Sequence, residues 1–176
     1  MQIQTTRFGP VTIDPNHIMT FPQGLVGFPD QVRFALLGQA HDGGQDGAFY
    51  WLQATEKPEL AFLVTDPAQF FKDYQVCIRE ETQQDLNLAD AKDGQVLVIC
   101  NRAGEWLTGN LLGPLVINTR TRIGQQMVLT EKKWTCRQPL IQVSNGGSSI
   151  AMNRGSGAES SGIPLQSDVS TMARAA

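Results

Sequence analysis

Catalytic and metal-binding chemistry has little material in this sequence. Two histidines and three cysteines are spread over 176 residues, and neither C-x-x-C nor H-x-x-x-H spacing occurs, so a metal site would need ligands gathered from distant positions. His17 precedes an apolar run and His41 sits among glycines, so both read as surface histidines. There is no Gly-x-Ser-x-Gly elbow, no Gly-rich loop ending in Lys-Ser or Lys-Thr, and no strand–Gly-x-Gly-x-x-Gly–helix unit. The adjacent carboxylates Glu80 and Glu81 have no apolar surroundings that would raise a pKa. Arg120-Thr121-Arg122 offers an anion site on paper, but alternating arginines more commonly form surface ion pairs. Cys77, Cys100 and Cys136 are odd in number and far apart, and are expected to be reduced core thiols of a cytoplasmic protein.

Other absences narrow the class further. No run approaches the roughly 18 apolar residues of a membrane-spanning helix, and the start Met1-Gln2-Ile3-Gln4 lacks the basic and apolar regions of a secretory signal. Helical periodicity is scarce. Net charge is −3, but it is unevenly distributed. From Asp30 to Glu105 there are 13 acidic and 6 basic residues, whereas Trp106 to Val143 carries 5 basic residues against Glu131. A predominantly acidic surface repels the phosphate backbone of nucleic acid and favours encounter with a basic protein.

What is present is a series of short apolar, β-branched runs separated by turn residues. Val11 to Ile13, Ile18 to Phe21, Phe34 to Leu37, Phe49 to Leu52, Leu60 to Val64, Tyr74 to Ile78, Val96 to Cys100, Leu115 to Ile117 and Met127 to Leu129 are each of strand length. Asp42–Gly47, Asp93-Gly94 and Ala103-Gly104 mark loops and turns. Asp66-Pro67 followed by Ala68 to Phe71 predicts an N-cap, a proline at the first helical position and one short turn. Glu80 to Leu88 is either a second helical turn or an irregular acidic loop. The expected fold class is mainly β, a small antiparallel β-barrel-like domain with one or two short helical turns. It is expected to span residues 1–143. From Ser144 to Ala176 the chain is rich in Ser, Gly, Ala and Asn without an aromatic residue, and is expected to be a disordered tail.

Two stretches stand out for having geometry without reactive groups. In Phe21-Pro22-Gln23-Gly24-Leu25-Val26-Gly27-Phe28-Pro29, glycines and prolines prevent a regular element and leave apolar residues on a loop, which is costly unless something covers them. Phe21 and Phe28 are expected to fold back as plugs for the barrel end, leaving Leu25 and Val26 nearer the surface. In Asn110-Leu111-Leu112-Gly113-Pro114-Leu115-Val116-Ile117-Asn118, Pro114 lacks an N–H and predicts a bulge or sheet edge before the strand. That edge would offer unpaired backbone groups to a partner strand. The plainer reading is a core strand whose two asparagines satisfy backbone groups at turns.

These stretches come in a fixed order with others: the Gly24 to Phe28 loop, Phe49 to Ala54, Pro58 to Val64, Asp66-Pro67, Phe71 to Tyr74, the Asn110 to Asn118 run and Gly124 to Leu129. In this order they resemble the flagellar assembly factor FliW family from residue 1 to about Val143. The resemblance implies a non-enzymatic bacterial cytoplasmic protein without cofactors, of β-barrel type. It implies binding to the carbon-storage regulator CsrA, a dimeric repressor of flagellin translation, and to flagellin itself, with exchange between the two partners. Glu80, Glu81, Asp85, Asp90 and Asp93 would then form an acidic block for a basic partner. Leu25, Val26, Phe28, Asn110 and Pro114 are the candidate apolar and edge contacts. Gly113 stands where the family leads one to expect Ala, which weakens the strand by about 0.5–1 kcal/mol.

Two other function classes make different demands on the sequence. A small β-barrel binding single-stranded nucleic acid wants exposed aromatics interleaved with Lys and Arg, but Phe49, Tyr50 and Trp51 stand in a strand between acidic Asp46 and Glu56. A ligand-binding or enzymatic barrel wants a deep cavity holding a buried, partnered carboxylate.

Overall fold

The computed structural model describes residues 1–39 and 48–143. The Asp42–Gly47 loop, His41 and the 144–176 tail lie outside the described residues. Among the described residues, eleven strands and one short α-helix follow in chain order, with three 3-10 turns between them. They are β1 (Gln2–Thr5), β2 (Gly9–Thr12), β3 (Ile18–Thr20), β4 (Arg33–Gln39), β5 (Phe49–Ala54), β6 (Ala61–Thr65), α1 (Glu80–Asp85), β7 (Gly94–Ala103), β8 (Trp106–Gly109), β9 (Leu115–Asn118), β10 (Gly124–Gln126) and β11 (Gln138–Gln142).

β1 and β2 form a hairpin of their own. The other nine strands form one antiparallel sheet in the order β10-β9-β7-β6-β5-β4-β3, with β8 and β11 branching from β7. The ten-residue strand β7 makes the branch. Its N-terminal half pairs with β9, its C-terminal residues pair with β8, and Val98 to Cys100 pair with β6. The outermost strands of the path, β3 and β10, approach each other at a single parallel bridge between Thr20 and Ile123. The sheet therefore curls almost into a ring without closing it, and the barrel-like expectation holds.

Several strands are buried on both faces, which explains their nearly continuous apolar runs. In β4, Phe34 and Leu36 face the ring interior with Met19, Phe21, Leu52, Leu115 and Ile117. Ala35 and Leu37 face a second core with Ile3, Ile13, Phe49 and Trp51, under the β1–β2 hairpin. In β9, Val116 faces a third core with Tyr74, Val76, Ile78, Leu86 and Trp134. Buried Gln53 secures the β5–β6 turn, its Nε2 donating to the carbonyls of Leu60 at 2.9 Å and Lys57 at 3.1 Å.

Local chemistry accounts for the short helical pieces. Asp66 Oδ1 accepts from Ala68 N at 2.8 Å, and Pro67 opens a 3-10 turn, as its sequence predicts. Of the two readings of Glu80 to Leu88, the helical one holds over Glu80–Asp85, with both glutamates in the first turn, where the helix dipole favours them.

Four expectations require correction. Tyr74 to Ile78 is not a strand; Tyr74, Val76 and Ile78 are buried and Gln75 and Cys77 exposed, so an extended segment lies across a core without a ladder partner among the described residues. Tyr74 instead donates its hydroxyl to Leu111 O at 2.7 Å. The strand expected at Met127 to Leu129 lies earlier, at Gly124–Gln126. Met127 N and Leu129 N still donate to Pro114 O and Leu112 O, both at 2.8 Å, but Pro114 has no N–H to return a bond. The third correction concerns Pro114 itself: it is buried, and β9 after it runs between β7 and β10, so no open edge exists there. Finally, Cys100 is a core thiol but Cys77 and Cys136 are exposed.

Candidate functional site at the open edge of the sheet

The two stretches singled out by sequence converge on β10. The loop after β3 turns at Gly24 and Gly27, both with positive φ. Phe21 is completely buried and packs on Gly124, where a Cβ would come within 2.6 Å of its ring. Phe28 is half-buried with its ring 5.3 Å from that of Phe62. Phe21 joins the ring's core as expected, whereas Phe28 packs on Phe62 at its margin. Leu25 does not stay near the surface; it is 3% exposed and joins the same core. Paired backbone bonds between Leu25 and Phe28 draw the tip into a tight turn and leave Val26, 68% exposed, pointing outward.

Gln126 joins this loop to the second stretch. Its Oε1 accepts from Val26 N at 2.8 Å and its Nε2 donates to Gly113 O at 3.2 Å. A Cβ on Gly113 would meet Asn110 Nδ2 at 2.6 Å, so glycine here makes room for a neighbouring amide. Asn110 is half-buried and its Oδ1 has no partner. Asn118 is fully buried and fully used: Nδ2 donates to Leu86 O and Asn87 O, each at 2.9 Å, and Oδ1 accepts from Arg120 N at 2.9 Å and Thr121 N at 3.2 Å. It ties α1 to the β9–β10 turn.

Two surface grooves flank β10. One, of about 480 Å³, lies between the Pro22–Pro29 loop, the end of α1 at Asp85 and Leu86, and Ile123 to Gln126. The other, of about 450 Å³, is lined by Cys77, Arg79, Thr82 and Gln125 to Glu131. They share Gln125 and Gln126, so they meet in one trough along the strand. Val128, 74% exposed, stands in the second groove as Val26 does in the first.

The acidic candidates are divided. Glu80, Glu81 and Asp85 are exposed on α1 and make no ion pair among the described residues. Asp90 lies 3.4 Å from Lys92, and Asp93 accepts from Arg120 at 2.8 Å, so their charge is partly compensated. The structure thus brings Val26 and Asp85 together at the trough and leaves Glu80 and Glu81 exposed in the first turn of α1, outside its lining, while Leu25 and Pro114 are buried. Gln125, Gln126 and Val128 were missed as site residues, although Gly124 to Leu129 stood in the motif order. The available signal was a run from Gly124 to Thr130 with neither charge nor proline.

No group of three or more His, Cys, Asp or Glu among the described residues is arranged to hold a metal. Against this geometry, the family model for FliW protein matches residues 2–140. The chain belongs to the FliW family. It is 36% identical to the flagellar assembly factor FliW of Magnetococcus marinus, over 80% of this chain and 85% of that one. The FliW of Natranaerobius thermophilus is 37% identical, over 80% of this chain and 93% of its own length. A crystal structure of the flagellar assembly factor FliW superposes with a TM-score of 0.70 at 30% identity, covering 80% of this chain and 97% of that one. FliW membership accounts for the order of the motifs. No described helix is long and apolar enough to cross a membrane.

Proposed function

We infer that this protein is a cytoplasmic, non-enzymatic partner-exchange factor of flagellar assembly. It binds and antagonises the carbon-storage regulator CsrA, binds flagellin, and so couples flagellin translation to export. It needs no cofactor, membrane or direct contact with nucleic acid. Residues 1–143 form the binding domain.

The observation that carries this reading is the trough along β10, where exposed Val26 and Val128 stand beside the carboxylates of Asp85 and Glu131. Apolar side chains exposed where acidic charge prevails suit a protein partner of the opposite sign, with charge steering the encounter and apolar contact holding it. Glu80, Glu81 and Asp85 also repel RNA approaching a bound regulator. Part of the antagonism is then screened by salt over about 10 Å. Undiminished inhibition at several-fold higher salt and full occupancy would remove that part.

A calorimetric competition tests the reading. The protein is titrated with the cognate regulator, then again after saturation with flagellin. Tight binding that flagellin abolishes is expected; binding to neither partner would refute the function while leaving the fold intact.

A further inference from the structure

Backbone pairing shows which groups of β10 and its continuation are already used. Asn118 N donates to Ile123 O, Met127 N to Pro114 O and Leu129 N to Leu112 O, each at 2.8 Å, and Gln125 stands opposite Val116. Positions 123, 125, 127 and 129 therefore face inward. Antiparallel alternation turns the N–H and C=O of Gln126 and Val128 the other way. β10 ends the sheet order, and on that side β3 meets it only at the Thr20–Ile123 bridge, where Thr20 N donates to Arg122 O; no described strand pairs with Gln126 or Val128 there.

Exposed edges of this kind usually carry lysine, proline or a bulge that discourages pairing. Here Gly124 to Thr130 has neither a charge nor a proline. Apolar Val26 and Val128 project beside it. The charged side chains lining the trough are Asp85 and Glu131 against the Arg79 guanidinium, so its balance is acidic.

We propose that an extended segment of a partner protein, alternating Lys or Arg with apolar residues, adds as a strand to the outer edge of β10 and its continuation over residues 126–130. Main-chain bonds to Gln126 and Val128 supply the pairing. The apolar positions fill the grooves at Val26 and Val128, and the basic ones face the carboxylates. The proposal rests on the trough being a protein-docking surface, and it specifies how docking occurs.

Residue-resolved amide exchange on the full chain tests it, with a capped Lys-Val-Lys-Val-Lys-Val-Lys peptide, with the regulator and with flagellin. The Gln126 and Val128 amides are expected to slow at least tenfold with the peptide and with a protein that binds, while Met127 and Leu129 change little. A peptide with Glu replacing Lys should leave them unchanged, and Val128→Asp should weaken peptide binding at least tenfold at unaltered Tm. A protein partner that binds while Gln126 and Val128 exchange freely overturns strand addition and leaves the partner reading standing. Protection by the lysine peptide with neither protein binding upholds strand addition and refutes the partners. Absence of protection by every probe at millimolar concentration overturns the proposal.

Discussion

The backbone N–H of Val26 donates to Oε1 of Gln126 at 2.8 Å across a separation of 100 positions. Through the same amide, Nε2 reaches Gly113 O at 3.2 Å. One uncharged side chain thus joins the loop after β3 to the turn before β9, and it does so at the seam where Thr20 and Ile123 bring the sheet's ends together. The exposed valine owes its position to a hydrogen bond made by its own backbone.

Replacing Gln126 by Leu removes both bonds while roughly keeping volume. The expected cost is about 1 kcal/mol, because the Val26 amide is exposed enough for water to replace its partner. Amide exchange at Val26 should rise more than tenfold while the β4–β5 amides stay unchanged. Unaltered exchange at Val26 would contradict the role given to Gln126.

The two glycines of the loop should respond differently. At Gly24, with φ +65°, a Cβ would lie 2.4 Å from Phe28 O and 2.6 Å from Pro29 O. Both are backbone atoms that cannot move aside, so Gly24→Ala should cost about 3 kcal/mol or more. Gly27 has φ +86° and open space around it, so Gly27→Ala should cost only the left-handed penalty of about 1–2 kcal/mol. Denaturant midpoints with unchanged m compare the pair directly.

Much of this fold was legible because turn residues and apolar runs coincide. The Asp66 cap, the Phe21 plug and the cores of β4, β5, β6, β7 and β9 follow from local rules. The strands that were missed have weaker signals: β1 reads Gln2-Ile3-Gln4-Thr5, and β11 contains Pro139 and a register shift. Leu25 misled because glycine neighbours imply a surface loop, whereas the Leu25–Phe28 backbone pairing turns its side chain inward. Pro114 misled because a missing N–H implies an edge. The ring's curvature places β10 outside it and moves the edge one strand further along. Gln126 carries no reactive group, and only tertiary structure shows what its amide joins.

Asn118 should be among the least replaceable residues. Asn118→Ala strands two carbonyls and two amides that the side chain now satisfies. A loss of about 3 kcal/mol or more is expected. Asn118→Asp keeps the acceptor but sets a carboxylate against Leu86 O and Asn87 O, and should be no better. Thermal unfolding of both variants checks this; a drop of under 1 kcal/mol in either would contradict the network.

Burial pushes the Cys100 thiol up to about 12 from its ordinary 9.0. Burial, with Glu131 nearby, also raises Tyr74 above its ordinary 10.0. Both groups are held neutral in the folded state, so their stabilising contributions are complete below about pH 9. Those contributions are lost as pH rises toward the folded values, because the unfolded chain ionises first. Tm should therefore fall from pH 9 upward. A thiol reagent at pH 8 should modify Cys77 and Cys136 in the native protein and reach Cys100 only in denaturant.

The most direct measurement is a calorimetric titration of the Val26→Asp, Val128→Asp double variant against the regulator and flagellin, beside the unmodified protein. Both side chains are largely exposed, so Tm should change by less than about 2 °C. If the trough is the docking surface, affinity for at least one partner falls at least thirtyfold. If the folded double variant binds both partners as tightly as the unmodified protein, partner docking does not occur along β10.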